Sequence, residues 1–237
     1  DSIMKNDTKM LSASRDIFSS NEAFKQLFEK KDRARLYAAG KELFTRNRDR
    51  YGITHFYYIS SDDTCFLRMH KPELADDVIK RVTYLQAKAT GKQASGIELG
   101  KTAFALRVVS PYYDKGQRIG YVEFGEEIDH FDQIVKEETE SDVLVLVNKN
   151  LLNEQDYRLT RKNAKQRDDW DDLKNYALVS ETFGDRPFFT SKIFKEDDIR
   201  SIRTSTFLGT VTYAGRVLMK GAFPITDASD KQVGTVI

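Results

Sequence analysis

The sequence predicts an α+β fold in which a long N-terminal helical segment precedes two tandem modules with antiparallel sheets. Three observations predict it. Apolar pairs recur every seven residues near the N-terminus, β-rich runs joined by turn residues follow, and one hairpin pattern occurs twice. The net charge is +1, from 38 basic and 37 acidic residues, so no global charge indicates a nucleic-acid partner.

Residues 1–52 are expected to be helical. The apolar pairs spaced by seven are Ile3/Met4, Met10/Leu11 and Ile17/Phe18. Asn21 and Asp32 can cap shorter helices within the segment, and Gly52 can end it. The apolar stripe predicts packing against a sheet. The same spacing also predicts a homodimer seam, and the two roles are compatible.

Residues 53–128 are expected to form the first module. A strand, turn residues and a second strand occupy residues 53–70. Pro72 predicts a helix over residues 73–90, which Gly91 would end. Three strands follow, near residues 94–99, 102–110 and 118–124. The apolar face of the predicted helix consists of Leu74, Val78, Val82 and Leu85.

Residues 129–237 are expected to form the second module. Its predicted elements are a helix over residues 129–140, a buried strand in DVLVLVNK, a helix with a loop, and a strand in YALVSET. Residues 183–206 are ambiguous, and three antiparallel strands end the chain. RVVSPYYDKGQRIGYVEF resembles KGAFPITDASDKQVGTVI, which favours two related modules. Coincidental turn chemistry is the alternative.

Strand alternation in the first module collects polar side chains on one sheet face and turns the apolar side toward the helical segment. The collected residues are Phe66, Arg68, His70, Arg107, Tyr121 and Glu123, with Tyr57 as a further aromatic. Arginine suits a carboxylate ligand because its guanidinium group donates two parallel hydrogen bonds. Glu123 could instead neutralise an arginine. A solvated sheet face is the alternative to a cavity wall.

Motifs for catalysis, metal binding and cofactor binding are absent from the sequence. It contains three histidines without metal-ligand spacing, one cysteine, and neither a P-loop nor a GxSxG elbow. The acidic pairs Asp62/Asp63 and Asp76/Asp77 are typical of turns and helix starts. We therefore predict no catalytic residue, no metal ligand and no cofactor. A hydrolase would need a nucleophile–base pair that the sequence does not reveal.

The stretches FLRMHKPELADD, GKQASGIELGKTAFALRVVSPYYDKGQRIGYVEFG and SDVLVLVNKNLL resemble the double Cache sensor domains of bacterial transmembrane receptors, which are PAS-like. Ala75 departs from the family pattern, where glycine is usual. The residues that match the pattern are Arg68, His70, Pro72, Asp76, Asp77, Gly96, Glu98, Gly100, Arg107, Pro111, Gly120, Glu123 and Gly125. Among them, Glu98 joins the candidate ligand-binding residues.

The resemblance implies an extracytoplasmic (periplasmic) domain anchored by flanking membrane helices, a homodimer along the N-terminal helix, and a membrane-distal first module that binds amino acids, carboxylates or amines. We therefore expect a non-enzymatic ligand sensor with Arg68 and Arg107 holding an anionic group. The alternative is a protein-interaction module that docks a periplasmic binding protein, which predicts an exposed Arg68/Arg107 face.

Overall fold

The computed structural model describes residues 2–100, 104–183 and 194–237. The chain divides into two compact units. The first comprises Asp1–Glu98 and Ala105–Glu127, and the second comprises Leu99–Phe104 and Ile128–Ile237. Helices precede two five-stranded antiparallel sheets among these described residues. The predicted α+β class with two tandem sheet modules is therefore confirmed.

The N-terminal segment is three helices rather than one continuous helix: α1 (Ser2–Ser19), α2 (Glu22–Glu29) and α3 (Arg33–Tyr51). The Asn21 side chain accepts a hydrogen bond from the Phe24 N–H at the start of α2. The Asp32 side chain accepts one from the Arg35 N–H at the start of α3. Gly52 ends α3 with a φ of 69°. The predicted caps are confirmed, because each satisfies a backbone group that a helix end leaves free.

The helices pack on one face of the first sheet through aromatic and aliphatic side chains. Leu11 and Phe18 of α1 are buried, and the Phe18 ring lies 4.8 Å from Phe56 and 5.2 Å from Phe124, measured between centroids. Ile17 from the same predicted stripe is 63% exposed. The stripe therefore packs against the sheet as predicted, and Ile17 remains outside that contact.

The first sheet has the strand order β2-β1-β5-β4-β3. Its strands are β1 (His55–Ser60), β2 (Cys65–Arg68), β3 (Ala94–Leu99), β4 (Phe104–Asp114) and β5 (Gln117–Glu127). The β1–β2 hairpin and the β4–β5 hairpin are both confirmed. The latter turns at Lys115 and Gly116, which both have positive φ.

The helix predicted over residues 73–90 is wrong in its first half. Helix α4 is Val82–Thr90, and it ends at Gly91 as predicted. The preceding residues instead supply backbone hydrogen bonds along the free edge of β2: the Cys65 N–H donates to the Asp77 carbonyl, and the Asp76 N–H donates to the Cys65 carbonyl, both at 2.8 Å. Asp76 adopts a φ of 68°, which interrupts a helix. Tertiary hydrogen bonding therefore overrides the helical pattern.

The predicted apolar helix face is wrong as well. Leu74, Val78 and Leu85 are 52%, 55% and 49% exposed. The buried residues of α4 are Thr83, Tyr84 and Ala87, and the last two belong to the hydrophobic core of this module.

The second sheet has the order β7-β6-β10-β9-β8. Its strands are β6 (Leu144–Asn148), β7 (Tyr176–Glu181), β8 (Thr206–Tyr213), β9 (Arg216–Thr226) and β10 (Gln232–Val236). The accompanying helices are α5 (Asp129–Thr139), α6 (Glu154–Asn163) and α7 (Glu196–Arg200). Part of the ambiguous segment, residues 184–193, lies outside the described residues.

The internal repeat corresponds to one topology used twice. Matching β1–β5 to β6–β10 in chain order makes the two strand orders identical. The residue after the repeated proline pairs with the repeated glycine in both hairpins, as Tyr112 with Gly120 and as Ile225 with Gly234. A Cβ added at either glycine would approach a carbonyl oxygen of the neighbouring strand, to 2.4 Å and 3.0 Å respectively. The glycines are therefore required by close strand packing.

Candidate functional site

The candidate site lies on the face of the first sheet opposite α1–α3. Strand pairing places Tyr57 of β1 beside Arg68 of β2 on one side and beside Glu123 of β5 on the other. Glu123 in turn pairs with Val109 of β4. The segment that joins β2 to β3, residues 69–93, covers this face and is called the cover segment. Its apolar contacts with the face come from Ile79, Tyr84 and Ala87.

The assignment of Phe66 to this face is wrong. A bulge shifts the pairing of β1 with β2, so Tyr58 pairs with Leu67 whereas Ile59 pairs with Cys65. Phe66 consequently lies on the helix side, where its ring centroid is 5.2 Å from that of Phe28. Cys65, predicted for the helix side, joins Ile59 in the core of the opposite face.

Glu123 is the centre of the site and is fully buried. Its Oε1 accepts a hydrogen bond from Arg107 Nη1 at 2.5 Å, and its Oε2 accepts one from Arg81 Nη2 at 2.6 Å. Burial alone would raise the pKa of Glu123, but the two guanidinium charges outweigh it and lower that pKa below the ordinary range. Glu123 therefore neutralises arginine, which was one of the two roles open from the sequence.

Arg81 is the residue that sequence reasoning missed. The helical prediction placed it in the interior of a helix, whereas it immediately precedes α4 in extended backbone. Its guanidinium carbon lies 4.4 Å from the Tyr57 ring centroid, and Arg68 and Arg107 lie 5.2 Å and 5.9 Å from the same ring. Three guanidinium groups therefore lie within about 6 Å of the Tyr57 ring, whose negative face attracts their positive charge. Arg81 can be recognised as a site residue only once α4 is known to begin at Val82.

Arg68 connects the sheet to the cover segment. Its two terminal nitrogens donate to the two carboxylate oxygens of Asp77 at 2.7 Å each, and Nη1 also donates to the Leu74 carbonyl at 2.6 Å. These hydrogen bonds from Arg68 lower the pKa of Asp77. Such a two-point contact fixes geometry as well as charge.

His70 and Glu98 lie at the margins of the site. His70 Nδ1 accepts a hydrogen bond from the Phe56 N–H at 3.4 Å, and its ring centroid is 4.9 Å from that of Tyr57. Burial, reinforced by nearby cations, lowers the pKa of His70 to about 4. Glu98 Oε1 accepts a hydrogen bond from the Thr83 N–H at 2.6 Å and therefore caps α4.

The site is enclosed and carries balanced charge. Arg107 is 4% exposed and Glu123 is 0% exposed, so the alternative of a solvated sheet face is wrong. The site holds three arginines, Arg68, Arg81 and Arg107, and three carboxylates, Asp77, Glu98 and Glu123. Asp77 and Glu123 form ion pairs with the arginines, and the charge of Glu98 acts on Arg81.

Three buried polar atoms on this face have no hydrogen-bond partner among the described residues: Tyr121 Oη, Thr83 Oγ1 and Arg107 Nε. Buried polar groups are nearly always paired, so unpaired ones indicate room for an additional partner. The arrangement can recognise charged and polar groups.

A five-stranded antiparallel sheet that occurs twice, with a covered polar face in the first unit, is the architecture of a PAS-like module. The family model described as "double sensory domain of two-component sensor kinase" matches residues 1–237. The chain belongs to this family, the double Cache domains, as the sequence resemblance predicted. Domains of this family are extracytoplasmic ligand-binding modules.

Solved structures show the same fold at low identity. A domain of a sensory box/GGDEF family protein from Vibrio parahaemolyticus is 12% identical, with a TM-score of 0.51 over 98% of this chain and 88% of that chain. The periplasmic domain of Vibrio cholerae LuxQ is 12% identical, with a TM-score of 0.50 over 99% of this chain and 95% of that chain. No curated protein matches the sequence. None of the helices in the described parts of the chain is long and apolar enough to cross a membrane.

Proposed function

We propose that this chain is the extracytoplasmic ligand-sensing domain of a transmembrane signal-transduction receptor, and that a small metabolite bearing a carboxylate or an amine binds in the first module. The observation that carries the proposal is the cluster of Arg81, Glu123 and Arg107, which is centred on the fully buried Glu123 and joins the cover segment to the sheet. Membership of the double sensory family supports the receptor role. In this proposal the domain lies in the periplasm, and flanking helices outside this chain anchor it in the cell membrane.

The ligand chemistry follows from the balanced charge of the cluster. A ligand carboxylate can take a place beside Arg81 and Arg107, and a ligand ammonium group can take one beside Glu123 or Asp77. A ligand carrying both groups keeps the buried charges paired, whereas an unpaired charge in this interior is costly. We therefore favour an amino acid or a similar zwitterion within the broader class of carboxylates and amines.

The signal would arise from the cover segment. Arg81 and Asp77 both belong to this segment, and each is bound to a sheet residue, Glu123 and Arg68 respectively. A ligand that inserts between sheet and cover exchanges these contacts for its own and thereby shifts α4. Binding energy is then converted into displacement because the ligand favours one arrangement of the segment over the other.

The test is a thermal-shift screen of amino acids, organic acids and amines, followed by calorimetric titration of any hit. Arg68→Ala and Arg107→Ala should abolish the ligand-induced shift, whereas Arg46→Ala, an exposed arginine of α3, should retain it. Arg81→Lys keeps the charge and should weaken binding through loss of the planar contact with Tyr57. A hit that survives both Arg68→Ala and Arg107→Ala would remove the site assignment.

The protein-interaction alternative predicts an exposed Arg68/Arg107 face, and the burial of Arg107 does not favour it. We also propose a homodimer along the N-terminal helical segment, because Ile17 lies on the α1 stripe and is 63% exposed. Sedimentation equilibrium measures the association. Ile17→Glu should weaken it, and unchanged association would exclude this seam.

A further inference from the structure

The second module contains a basic groove of about 790 Å³. It is formed by the end of β6, the start of β7, α7 and the start of β10. Its cationic lining consists of Lys149, Lys174, Arg200, Arg203 and Lys231, and its one acidic lining residue is Asp230. Five cations against one carboxylate leave an excess of four positive charges on a chain whose net charge is only +1. The volume lies within the range of small-molecule sites.

The groove occupies the rim of the region that corresponds to the covered face of the first module. The chain between β7 and β8 corresponds to the cover segment, because the two sheets have the same strand order. Ile199 of α7 packs with Leu146 and Leu178 of the sheet beneath it, as Ile79 packs in the first module. The second module thus also places a covering helix over this face, with Arg200 next to the buried Ile199.

Among the described residues, none of the five groove cations forms an ion pair with a carboxylate, although the charges of Lys149 and Lys231 act on the nearby Glu196 and Asp227. Arg203 donates to the carbonyls of Arg200 and Ile202 and to Gln232 Oε1, which orients it without cancelling its charge. This contrasts with the first module, where each arginine of the site is paired.

The carboxylate beside the groove is already committed. Glu196 of α7 accepts hydrogen bonds from the Lys174 N–H, the Asn175 N–H and Asn175 Nδ2, at 2.6, 2.9 and 2.7 Å. These bonds, together with the charge of Lys149, outweigh its burial and lower the pKa of Glu196. Glu196 therefore holds the β7 end of the groove in place, because its carboxylate is bound by the Lys174 N–H and by the backbone and side-chain amides of Asn175.

We propose that this groove is a second ligand site, which binds a small soluble anion carrying two or more carboxylate or phosphate groups. Clustered, unpaired cations attract such anions, and several ammonium and guanidinium donors can bind their oxygens together. The first module, whose site has equal numbers of arginines and carboxylates, would then bind zwitterions. The cationic groove of the second module would bind anions with several acidic groups. This inference goes beyond the proposed function and does not depend on a ligand in the first module.

Trp170 provides a built-in reporter for the groove. It is the chain's sole tryptophan, and Lys149 Nζ lies 5.0 Å from its ring centroid. Lys149 lines the groove, so an anion that binds there should alter the environment of the indole. The test titrates the whole chain with citrate and with pyrophosphate, at constant ionic strength, and follows Trp170 emission and calorimetric heat.

The expected result is saturable binding of at least one probe, weakened about tenfold or more in Arg200→Ala/Lys231→Ala, because each lost charge-assisted contact changes the dissociation constant by about that factor. The matched control Lys162→Ala/Arg216→Ala removes two exposed cations outside the groove lining and should leave affinity unchanged. Arg107→Ala, in the first module, should also bind the probes as before.

Melting curves by circular dichroism establish that the groove variant and Arg107→Ala are both folded. The proposal is overturned if neither probe saturates, or if the groove and control variants lose affinity equally. Loss of probe binding in Arg107→Ala alone would assign the anion to the first module and overturn the proposal as well.

Discussion

Replacing Glu123 with glutamine should destabilise the first module while preserving side-chain size. The carboxylate is fully buried and accepts hydrogen bonds from two arginines. Removing one partner of a buried ion pair costs about 3–5 kcal/mol, because the other charge remains unpaired. Arg107 is left in that state, whereas the Arg81 side chain is 21% exposed and can regain water. We therefore expect a loss near the lower limit, about 3 kcal/mol of the free energy of unfolding.

Urea unfolding followed by far-ultraviolet circular dichroism measures this loss. Trp170 lies in the second unit, so its fluorescence reports that unit separately and should shift less than the dichroism signal. Glu42→Gln is the matched control. Its carboxylate pairs with Arg46 on the surface of α3, with side chains 90% and 54% exposed, and should change stability by less than about 0.5 kcal/mol.

The pH dependence gives an independent test of the same reasoning. The pKa of Glu123 is lowered in the folded state, so its stabilising contribution is complete above the ordinary value of 4.5 and is lost as the pH falls through the folded-state pKa. The difference in stability between the wild type and Glu123→Gln should therefore narrow below pH 4.5. A Glu123→Gln variant as stable as the Glu42→Gln control at pH 7 would refute the buried ion-pair assignment.

Three further predictions concern single positions in the first unit. Burial, with a contribution from Asp7, raises the pKa of Glu126 to about 8, so this residue should cost stability as the pH rises from 4.5 to 8. In urea titrations at several pH values, the free energy of unfolding of Glu126→Gln should fall by a few kcal/mol less than that of the wild type over this pH range. An equal fall in the wild type and the variant would contradict the raised pKa. Gly120→Ala should lower the free energy of unfolding by about 1–3 kcal/mol or more, because its Cβ would lie 2.4 Å from the Ile59 carbonyl oxygen. An unchanged urea midpoint would show that β1 and β5 can move apart to accept the methyl group without loss of stability. Cys65 is fully buried, and burial raises the pKa of its thiol to about 11, so a disulfide reagent should label it only as urea unfolds the chain; rapid stoichiometric labelling in buffer would disprove this.

Helix caps and turns were readable from the sequence because they depend on neighbours along the chain. Asn21, Asp32 and Gly52 act within a few residues of where they stand, so local chemistry was sufficient. The repeat could be recognised in the sequence because Gly120 and Gly234 occupy the same position in two hairpins, where the neighbouring strand leaves no room for a Cβ.

The candidate site was only partly predictable. Alternation grouped Arg68, Arg107 and Glu123 because each occupies the polar face of its own strand. It failed at Phe66, where a bulge adds one residue to β2 and exchanges the faces. The prediction of where α4 begins was wrong because residues 76 and 77 hydrogen-bond to the edge of β2, and the sequence pattern contains no sign of that contact.

The sequence by itself determined the fold class and the two-module organisation, because periodicity, caps and turn residues are local properties. The family followed from the resemblance of its motif stretches to known double Cache domains. Only the tertiary structure decided how the charges are used. Arg81 reaches Glu123 across 42 residues of chain, and this contact makes the first-module site enclosed and balanced. The cations of the second-module groove come from four separate stretches of sequence. Pairing and separation of charges depend on distances in the folded chain, which no local pattern contains.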